Sequence, residues 1–366
     1  MIPSILLLLG TYILFLFWLI KGVTEEDVPI SSNNALEVRI SLIVPFRDEE
    51  KNAKEFLEKI KKQRIDPNFF EVILIDDHST DNTLSIINAY IHKLNLTNIS
   101  VLNLGDSTGK KNAVNLGVQN AQYELIVQTD MDCQFGNDYL ANLQNLHDAK
   151  KADLYILPVF IPFSSDPFSA IFQSIEFSAL QAVAFGMALN RHPILCSAAN
   201  LLYKKDVFEK SLQIRTDDVT SGDDIFFLHA AKKLNFNVVA VLSPKYLVET
   251  QPKPSLMEFI DQRARWAGKN RKVKDPNYLL VMALVGMVNV SLILLAFLHF
   301  KFFLVVALFK TIVERMLLNQ FTFRIDKSYS SPLVLLFGFF YPFYIIGIGI
   351  YSQVTSPKWK NRSVEF

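Results

Sequence analysis

Cysteine is nearly absent from this chain, and its scarcity excludes two kinds of stabilising framework. Only Cys133 and Cys196 occur among the 366 residues. Neither a disulfide network nor a zinc site with the usual ligand spacing can be built from two such residues. The composition therefore fits a main domain that faces a reducing, cytosolic compartment.

An excess of charge of either sign is also missing. Lysine and arginine number 37 and aspartate and glutamate 36, so the overall charge gives no indication of nucleic-acid binding. No G-x-G-x-x-G motif follows the first predicted strand, which disfavours a dehydrogenase that binds a dinucleotide.

Half of the residues are hydrophobic, and the excess lies towards the two ends. Pro3–Ile20 is uncharged and just long enough to cross a bilayer. It lacks a basic start and a small-residue cleavage site, so we interpret it as a membrane anchor and not as a removed signal peptide. Lys21 directly after it favours a cytoplasmic location for the remainder.

The middle of the chain alternates between strand and helix patterns. Ala53, Phe56, Leu57 and Ile60 have the spacing of one helix face, as do Leu84, Ile87, Ile91 and Leu94. The predicted strands are Arg39–Pro45, Glu71–Ile75, Ile99–Leu104, Glu124–Gln128 and Leu154–Val159. This order predicts βαβ units and an α/β fold with a mostly parallel, Rossmann-like sheet.

Apolar runs return after a basic cluster formed by Arg263, Arg265, Lys269, Arg271, Lys272 and Lys274. Tyr278–Phe300 and Leu333–Tyr351 are candidate spans. Phe302–Leu318 carries Lys310 and Glu314, which could pair within a span or mark an amphipathic helix at the interface. The sequence therefore leaves open whether the C-terminal region has two or three spans.

These patterns divide the chain into consecutive segments. We expect an anchor at 1–21, a linker at 22–37, an α/β domain at 38–250, a basic interfacial helix at 251–277, a membrane region at 278–351 and a basic tail at 352–366.

Two aspartates, Asp130 and Asp132, follow the predicted strand Glu124–Gln128 almost directly. The carboxyl edge of an open α/β sheet is where ligands bind. Close carboxylates repel each other unless a cation lies between them, and Mg2+ or Mn2+ can bridge such oxygens to phosphate. The pair predicts a metal–diphosphate site, although two solvated aspartates would give the same pattern.

Two polar loops follow earlier strands, at 44–50 and 75–83. Asp77 could bind a base or ribose, whereas Ser79 or Asp81 could instead cap the next helix. Asp81 is expected to be mostly structural. In the segment 108–113, Lys110 could reach a phosphate or a base, or could be an ordinary surface lysine.

The last polar constellation has two parts. Asp223 and Asp224 open a predicted helix at 225–234, where a carboxylate could cap the helix or act as a general base. Gln262, Arg265 and Trp266 have the spacing of one helix face. The arginine suits a diphosphate and the indole suits a sugar ring. A helix beside the membrane, with an interfacial tryptophan and arginine, would have the same sequence pattern.

In this order the motifs resemble the glycosyltransferase family 2 enzymes with a GT-A domain. The matching stretches are VPFRDEEKN, IDDHSTDNT, GKKNAVNLG, DMD, SGDD and QRARW. The likeness is nearest to the membrane-anchored branch that includes ceramide glucosyltransferase and the cellulose, chitin and hyaluronan synthases. It covers about residues 39–269, and the sequence departs from the family where Asp223 replaces a glutamate and Arg47-Asp48 replaces a tyrosine and an asparagine.

The resemblance implies roles for individual residues. Asp77 would hold the base, usually uracil, while Pro45, Glu49 and Lys110 would line the nucleotide site. Asp132 and Asp130 would bind the ribose–diphosphate and a divalent metal, Mg2+ or Mn2+. Asp224 would be the base, next to Asp223. Gln262, Arg265 and Trp266 would contact the acceptor and the leaving group.

The function expected from this resemblance is inverting transfer of a sugar from a nucleotide-diphosphate sugar, UDP-linked by preference, to a membrane lipid or lipid-linked acceptor. The expected location is the cell (inner) membrane, with several spans and a cytoplasmic catalytic domain. A processive polysaccharide synthase is the alternative enzyme, and three or four spans are few for a polymer channel. A nucleotide-binding membrane scaffold without turnover is the alternative from another class.

Overall fold

The computed structural model describes residues 2–25, 38–162, 168–215, 223–269, 272–328, 333–355, 358–359 and 362–363. The chain divides into two compact units. The α/β unit comprises Asp27–Pro162 and Leu195–Gln251. The helical unit comprises Met1–Glu26, Phe163–Ile194 and Pro252–Phe366.

The elements are numbered in chain order. The strands are β1 Ile40–Phe46, β2 Phe70–Asp76, β3 Ile99–Asn103, β4 Leu125–Gln128, β5 Gln134–Phe135, β6 Leu154–Ile156, β7 Val159–Phe160, β8 Leu201–Lys204, β9 Val238–Ala240, β10 Val248–Glu249, β11 Lys358–Trp359 and β12 Arg362–Ser363. The helices are α1 Ile2–Thr24, α2 Glu50–Lys61, α3 Thr83–Leu94, α4 Lys110–Asn120, α5 Tyr139–Lys150, α6 Phe168–Leu189, α7 Lys205–Leu212, α8 Asp223–Lys233, α9 Leu256–Lys269, α10 Pro276–Leu298, α11 Phe300–Arg324 and α12 Leu333–Val354.

A 7-stranded sheet forms the centre of the α/β unit, in the order β3-β2-β1-β4-β8-β6-β9. The pairs β1–β2, β2–β3, β1–β4 and β6–β9 are parallel, whereas β8 is antiparallel to both β4 and β6. The predicted mostly parallel α/β sheet is confirmed. The chain runs outward from β1 to β2 and β3 on one side and to β4 on the other, so the carboxyl ends of β1 and β4 flank a topological switch point.

Hydrophobic packing explains why these strands and helices form. Every residue of β1 is buried, as expected for a strand covered on both faces. The predicted face of α2, which contains Ala53, Phe56, Leu57 and Ile60, is buried. Helix α4 approaches β1 and β2 closely at Gly117, where an added Cβ would lie 2.6 Å from Ile43 Cγ2 and 2.9 Å from Ile75 Cδ1.

One predicted strand is wrong in its extent. Leu154–Val159 is not continuous, because β6 ends at Ile156 and β7 begins at Val159 in a separate 3-stranded sheet. Pro158 lies between them and has no amide hydrogen for a ladder. Its carbonyl instead accepts hydrogen bonds from Val248 N at 3.1 Å and from Asn200 Nδ2 at 2.7 Å.

The helical unit contains candidate membrane spans. Among the described residues, 4 helices are long and apolar enough to cross a bilayer: α1, Ala170–Leu189 of α6, α10 and α12. Three of them correspond to apolar runs that the sequence predicts. The fourth, within α6, was missed because polar residues such as Gln173 and Gln181 interrupt its apolar pattern, although both are buried in the structure.

Helix α11 is not among these candidates, because charges interrupt its sequence. It nevertheless packs against α1, α6, α10 and α12. Lys310 is 1% exposed, and its Nζ lies 2.7 Å from Glu314 Oε1. Tyr12 of α1 donates a 2.6 Å hydrogen bond to the same carboxylate. The sequence left open whether Lys310 and Glu314 pair, and the structure shows that they do, inside the helical unit.

Candidate active site

The loops that follow β1 and β2 are joined to each other. Asp48 and His78 have φ angles of 50° and 59°, in the left-handed region that non-glycine residues seldom adopt. Asp48 N donates to Ser79 Oγ at 3.1 Å, and Thr80 N donates to Asp48 Oδ1 at 2.7 Å. Such strained backbone persists only where its surroundings hold it, so the two loops form one fixed rim at the carboxyl edge of the sheet.

Asp81 has the structural role that the sequence predicts. Its carboxylate accepts hydrogen bonds from Glu50 N at 3.2 Å and from Thr83 N at 3.0 Å, and so connects the starts of α2 and α3. The alternative in which Ser79 or Asp81 is the N-cap residue of α3 is not observed, because that position belongs to Asn82. Ser79 Oγ is engaged by the neighbouring loop instead.

The predicted nucleotide contacts Pro45, Glu49 and Asp77 lie on this rim. Pro45 is in β1, and Asp77 directly follows β2 and is 1% exposed. Asp77 N donates to Phe46 O at 2.9 Å, which fixes the backbone of Asp77 beside the end of β1. Glu49 N donates to Thr83 Oγ1 at 2.7 Å, and Glu49 Oε2 accepts from Asn52 Nδ2 at 2.6 Å.

Lys110 is the first residue of α4, directly after Gly109. Gly109 has a φ of 96°, a conformation that favours glycine. The Lys110 ammonium group pairs with the carboxylate of Asp130, and the two side chains are 27% and 30% exposed. The structure thus places a cation against the first aspartate after β4, a pairing that the sequence alone did not indicate.

Asp132, the second of these aspartates, is tied to the segment after β10. Thr250 Oγ1 donates to Asp132 Oδ2 at 3.3 Å, and Thr250 is a site contact that the sequence reasoning missed. Cys133 beside it is buried. Burial, together with the charges of Asp132 and Asp130, raises the pKa of the Cys133 thiol well above its usual value. The thiol therefore stays neutral in the metal-free protein.

The donor set suits a metal that is held jointly with a ligand. Among the residues that the structure describes, no group of three or more His, Cys, Asp or Glu residues could hold a metal ion. Mg2+ typically takes one or two protein carboxylates, several waters and phosphate oxygens. Asp130 and Asp132, with the Lys110 ammonium group nearby, fit that kind of site.

Asp224 lies at the start of α8. Its Oδ2 accepts a hydrogen bond from Ala198 N at 3.3 Å, and its Oδ1 accepts one from Ile225 N at 2.8 Å. The next residue along, Ala199, accepts a 2.8 Å hydrogen bond at its carbonyl from Thr129 Oγ1. Asp224 and the start of the Asp130–Asp132 segment are thus anchored to adjacent residues of one segment.

A small cavity gives a second link between these motifs. Its volume is about 10 Å³, and Lys111, Gln128 and Asp224 are among the residues that line it. The starts of α4 and α8 therefore meet the end of β4. The predicted helix at 225–234 begins earlier, at Asp223, and the side chain of Asp223 lies outside the described part of the chain.

Gln262, Arg265 and Trp266 lie on α9 of the helical unit, so their predicted helical setting is confirmed. Burial lowers the pKa of the Arg265 guanidinium to about 10, so the group stays charged at neutral pH. Among the described residues, the buried Nε of Arg265 has no hydrogen-bond partner. The ring centroid of Trp266 lies 6.0 Å from that of Phe177 on α6.

The sequence comparisons place the α/β unit in a known class. Residues 41–212 match the family model described as glycosyl transferase family 2. Residues 41–212 therefore form a glycosyl transferase family 2 domain, and the mostly parallel sheet agrees with the GT-A-like fold that the motifs predicted.

Curated relatives share parts of the chain. A poly(ribitol-phosphate) beta-N-acetylglucosaminyltransferase, TarS of Staphylococcus aureus, is 27% identical over 208 residues, which are 57% of this chain and 35% of the relative. A human dolichyl-phosphate beta-glucosyltransferase is 31% identical over 100 residues, 26% of this chain and 31% of the relative. The aligned parts thus span only about a third of each relative's length.

A solved structure supports the fold. A mannosyltransferase from Pyrobaculum calidifontis, determined in complex with GDP-Man and Mn2+, aligns with a TM-score of 0.56 at 16% identity. The alignment covers 96% of this chain and 95% of the mannosyltransferase chain. At this identity the likeness concerns the fold alone.

Proposed function

We propose that this protein transfers a sugar, with inversion, from a nucleotide-diphosphate sugar to a lipid or lipid-linked acceptor. The observation that supports the proposal is the Lys110–Asp130 ion pair after β4, together with Asp224, which is anchored at Ala198 beside the residue that binds Thr129 and lines one small cavity with Lys111. A diphosphate needs a cation and metal-binding carboxylates, and an acceptor hydroxyl needs a base.

The donor is bound by the rim and by the Asp130–Asp132 segment in this proposal. Asp77 accepts hydrogen bonds from the base, and Glu49 and Pro45 line the same site. Lys110 contacts the diphosphate, while Asp130 and Asp132 would hold Mg2+ or Mn2+. The ion would supply positive charge where the diphosphate leaves. UDP is the first nucleotide to test, because the family resemblance implies uracil.

Asp224 takes the proton from the acceptor hydroxyl, which attacks the anomeric carbon on the face opposite the diphosphate. The carboxylate of Asp224 accepts hydrogen bonds from the amides of Ala198 and Ile225, which hold it at the start of α8. The base is therefore already oriented before proton transfer. Gln262, Arg265 and Trp266 have the roles that the resemblance implies. The unpartnered Nε of Arg265 is consistent with a ligand contact.

The helical unit supports a membrane-bound acceptor. The chain has helices able to cross a bilayer, and the human relative is named for action on dolichyl phosphate. We infer a multi-pass protein of the cell membrane, with its catalytic domain on the cytoplasmic side. A processive synthase would yield long products from the same donor, so the length of the labelled product distinguishes the two enzymes.

The test replaces the proposed base. Wild-type membranes are screened with labelled nucleotide sugars, and Asp224→Asn is then assayed for transfer and for donor binding. We expect transfer to fall by roughly 10²–10⁴-fold, the usual contribution of a general base, with donor affinity retained. Asp206→Asn is the control, since Asp206 is an exposed partner of Lys210 on α7.

Two outcomes would change the assignment. An equal loss of donor binding in Asp224→Asn would remove Asp224 from the role of base. Nucleotide binding without turnover of any donor, in the wild-type protein, would favour the scaffold over the enzyme.

A further inference from the structure

A buried ion pair in the helical unit joins α6 to α9. Arg263 Nε lies 3.0 Å from Glu176 Oε1 and 2.9 Å from Glu176 Oε2, and Arg263 Nη2 also donates to Oε2. The two side chains are 3% and 8% exposed. Tyr344 of α12 adds a 3.3 Å hydrogen bond to Oε1. The carboxylate therefore holds the arginine fork in one plane.

The same guanidinium contacts two residues of the Gln262–Trp266 motif. Arg263 Nη1 donates to Gln262 Oε1. The Arg263 Cζ atom lies 4.2 Å from the centroid of the Trp266 ring, and 4.6 Å from that of Phe259. A guanidinium that lies over an aromatic ring at this distance is attracted to the face of the ring. The planar guanidinium of Arg263 thus contacts both the amide of Gln262 and the indole of Trp266.

A lysine could not replace this group. An ammonium group has no plane to stack on the indole and no fork to engage the carboxylate while donating to Gln262. A neutral residue opposite Arg263 would leave its charge buried without a counterion. Both halves of the pair are therefore needed to fix the motif side chains.

We propose that Glu176 and Arg263 are positioning residues, which orient Gln262 and Trp266 of α9 through a carboxylate–guanidinium–indole stack. The consequence for catalysis rests on the proposed function. The packing of the Trp266 indole does not rest on the proposed function, and a change in that packing can be measured without any substrate.

Tryptophan fluorescence gives that measurement. The chain has 3 tryptophans, so Trp18→Phe with Trp359→Phe leaves Trp266 as the sole emitter. In this background we expect Glu176→Gln and Arg263→Lys to shift the emission maximum of Trp266 and to raise its quenching by acrylamide. Glu258→Gln removes the same charge from the exposed face of α9 and should leave both readings unchanged.

A double variant separates positioning from folding. Glu176→Gln combined with Arg263→Met removes both charges, so no uncompensated charge remains buried. Thermal stability should then recover towards that of the parent, whereas the Trp266 emission should stay shifted because the stacked guanidinium is gone. Unchanged emission in Glu176→Gln, or recovery of the parental emission in the double variant, would overturn the proposal.

Transfer assays extend the test to function. In the full-length protein we expect Glu176→Gln to lower kcat and to leave the KM for the donor unchanged, with partial rescue in Glu176→Asp, which keeps the carboxylate. If the wild-type protein transfers no sugar, the proposed function fails, and the fluorescence measurements still decide the positioning role. Unaltered kcat in a variant with shifted emission would refute the catalytic consequence alone.

Discussion

The pairing of Lys110 with Asp130 yields a prediction in which stability and binding respond differently. Lys110→Met keeps most of the side-chain stem and removes the charge. The two side chains are 27% and 30% exposed, so water still screens the pair. Exposed pairs contribute roughly 0.2–1 kcal/mol, and we expect the free energy of unfolding to fall by about 1 kcal/mol at most.

Donor binding should respond much more strongly. In the proposed complex, the ammonium group contacts the diphosphate, and a hydrogen bond to a charged group is worth about 1.5–3 kcal/mol. Since 1.36 kcal/mol corresponds to a factor of ten, Lys110→Met should weaken donor binding by roughly 10–150-fold. Titration calorimetry with UDP and Mg2+ measures this affinity, and thermal unfolding measures stability.

A matched control lies in the same α/β unit. Lys204 Nζ lies 2.8 Å from Asp153 Oδ1, and the two side chains are 37% and 24% exposed. Lys204→Met removes an ion pair of similar burial, away from the predicted site residues, so it should lower stability by a similar amount and leave donor affinity unchanged. If Lys110→Met also bound the donor like the wild-type protein, Lys110 would be only a structural partner of Asp130.

Three further predictions concern packing, pH and metal. Gly117→Ala should lower the free energy of unfolding by about 1–3 kcal/mol, because the added Cβ overpacks against Ile43. Gly136→Ala should change it little, because nothing lies within 4 Å of the added Cβ. Chemical denaturation measures both variants. Burial opposes ionisation of Asp153, but hydrogen bonds from Lys204 and from the backbone of Asn237, together with the charge of Lys204, outweigh it and lower the pKa of the carboxyl. A lowered pKa adds stability that is present above about pH 3.9 and is lost as pH falls through the folded-state value. Acid unfolding of Lys204→Met should therefore begin at higher pH than that of the wild type. Chelation should abolish transfer without unfolding the protein, and calorimetry should find Mn2+ binding weak unless UDP is present, because two carboxylates hold the ion only together with phosphate.

Local signals in the sequence were enough to predict the architecture of the α/β unit. The buried face of α2 follows from the spacing of Ala53, Phe56, Leu57 and Ile60, because a helix brings these positions to one side. Asp130 could be placed at the carboxyl edge because β4 is apolar and ends just before it. In both cases the determinant lies within one segment of the chain.

Partners from distant segments could not be predicted in this way. Thr250 and Asp132 are far apart in sequence, and hydroxyl-to-carboxylate contacts leave no periodic pattern. The N-cap of α3 could not be chosen from the sequence for a related reason: Ser79 has an acceptor oxygen suitable for capping, but a neighbouring loop uses it. A side chain that can serve two partners needs the tertiary structure to decide between them.

The helical unit shows why hydropathy alone fails where helices bury polar groups against one another. Glu176 of α6 and Lys310 of α11 interrupt apolar sequences, yet they are 9% and 1% exposed. Each has an oppositely charged partner, Arg263 and Glu314 respectively, and paired charges are far less costly in an apolar environment than single ones. A charge within a long apolar helix is therefore better interpreted by asking which partner neutralises it. For Glu176, that question leads directly to the arginine beside Gln262 and Trp266.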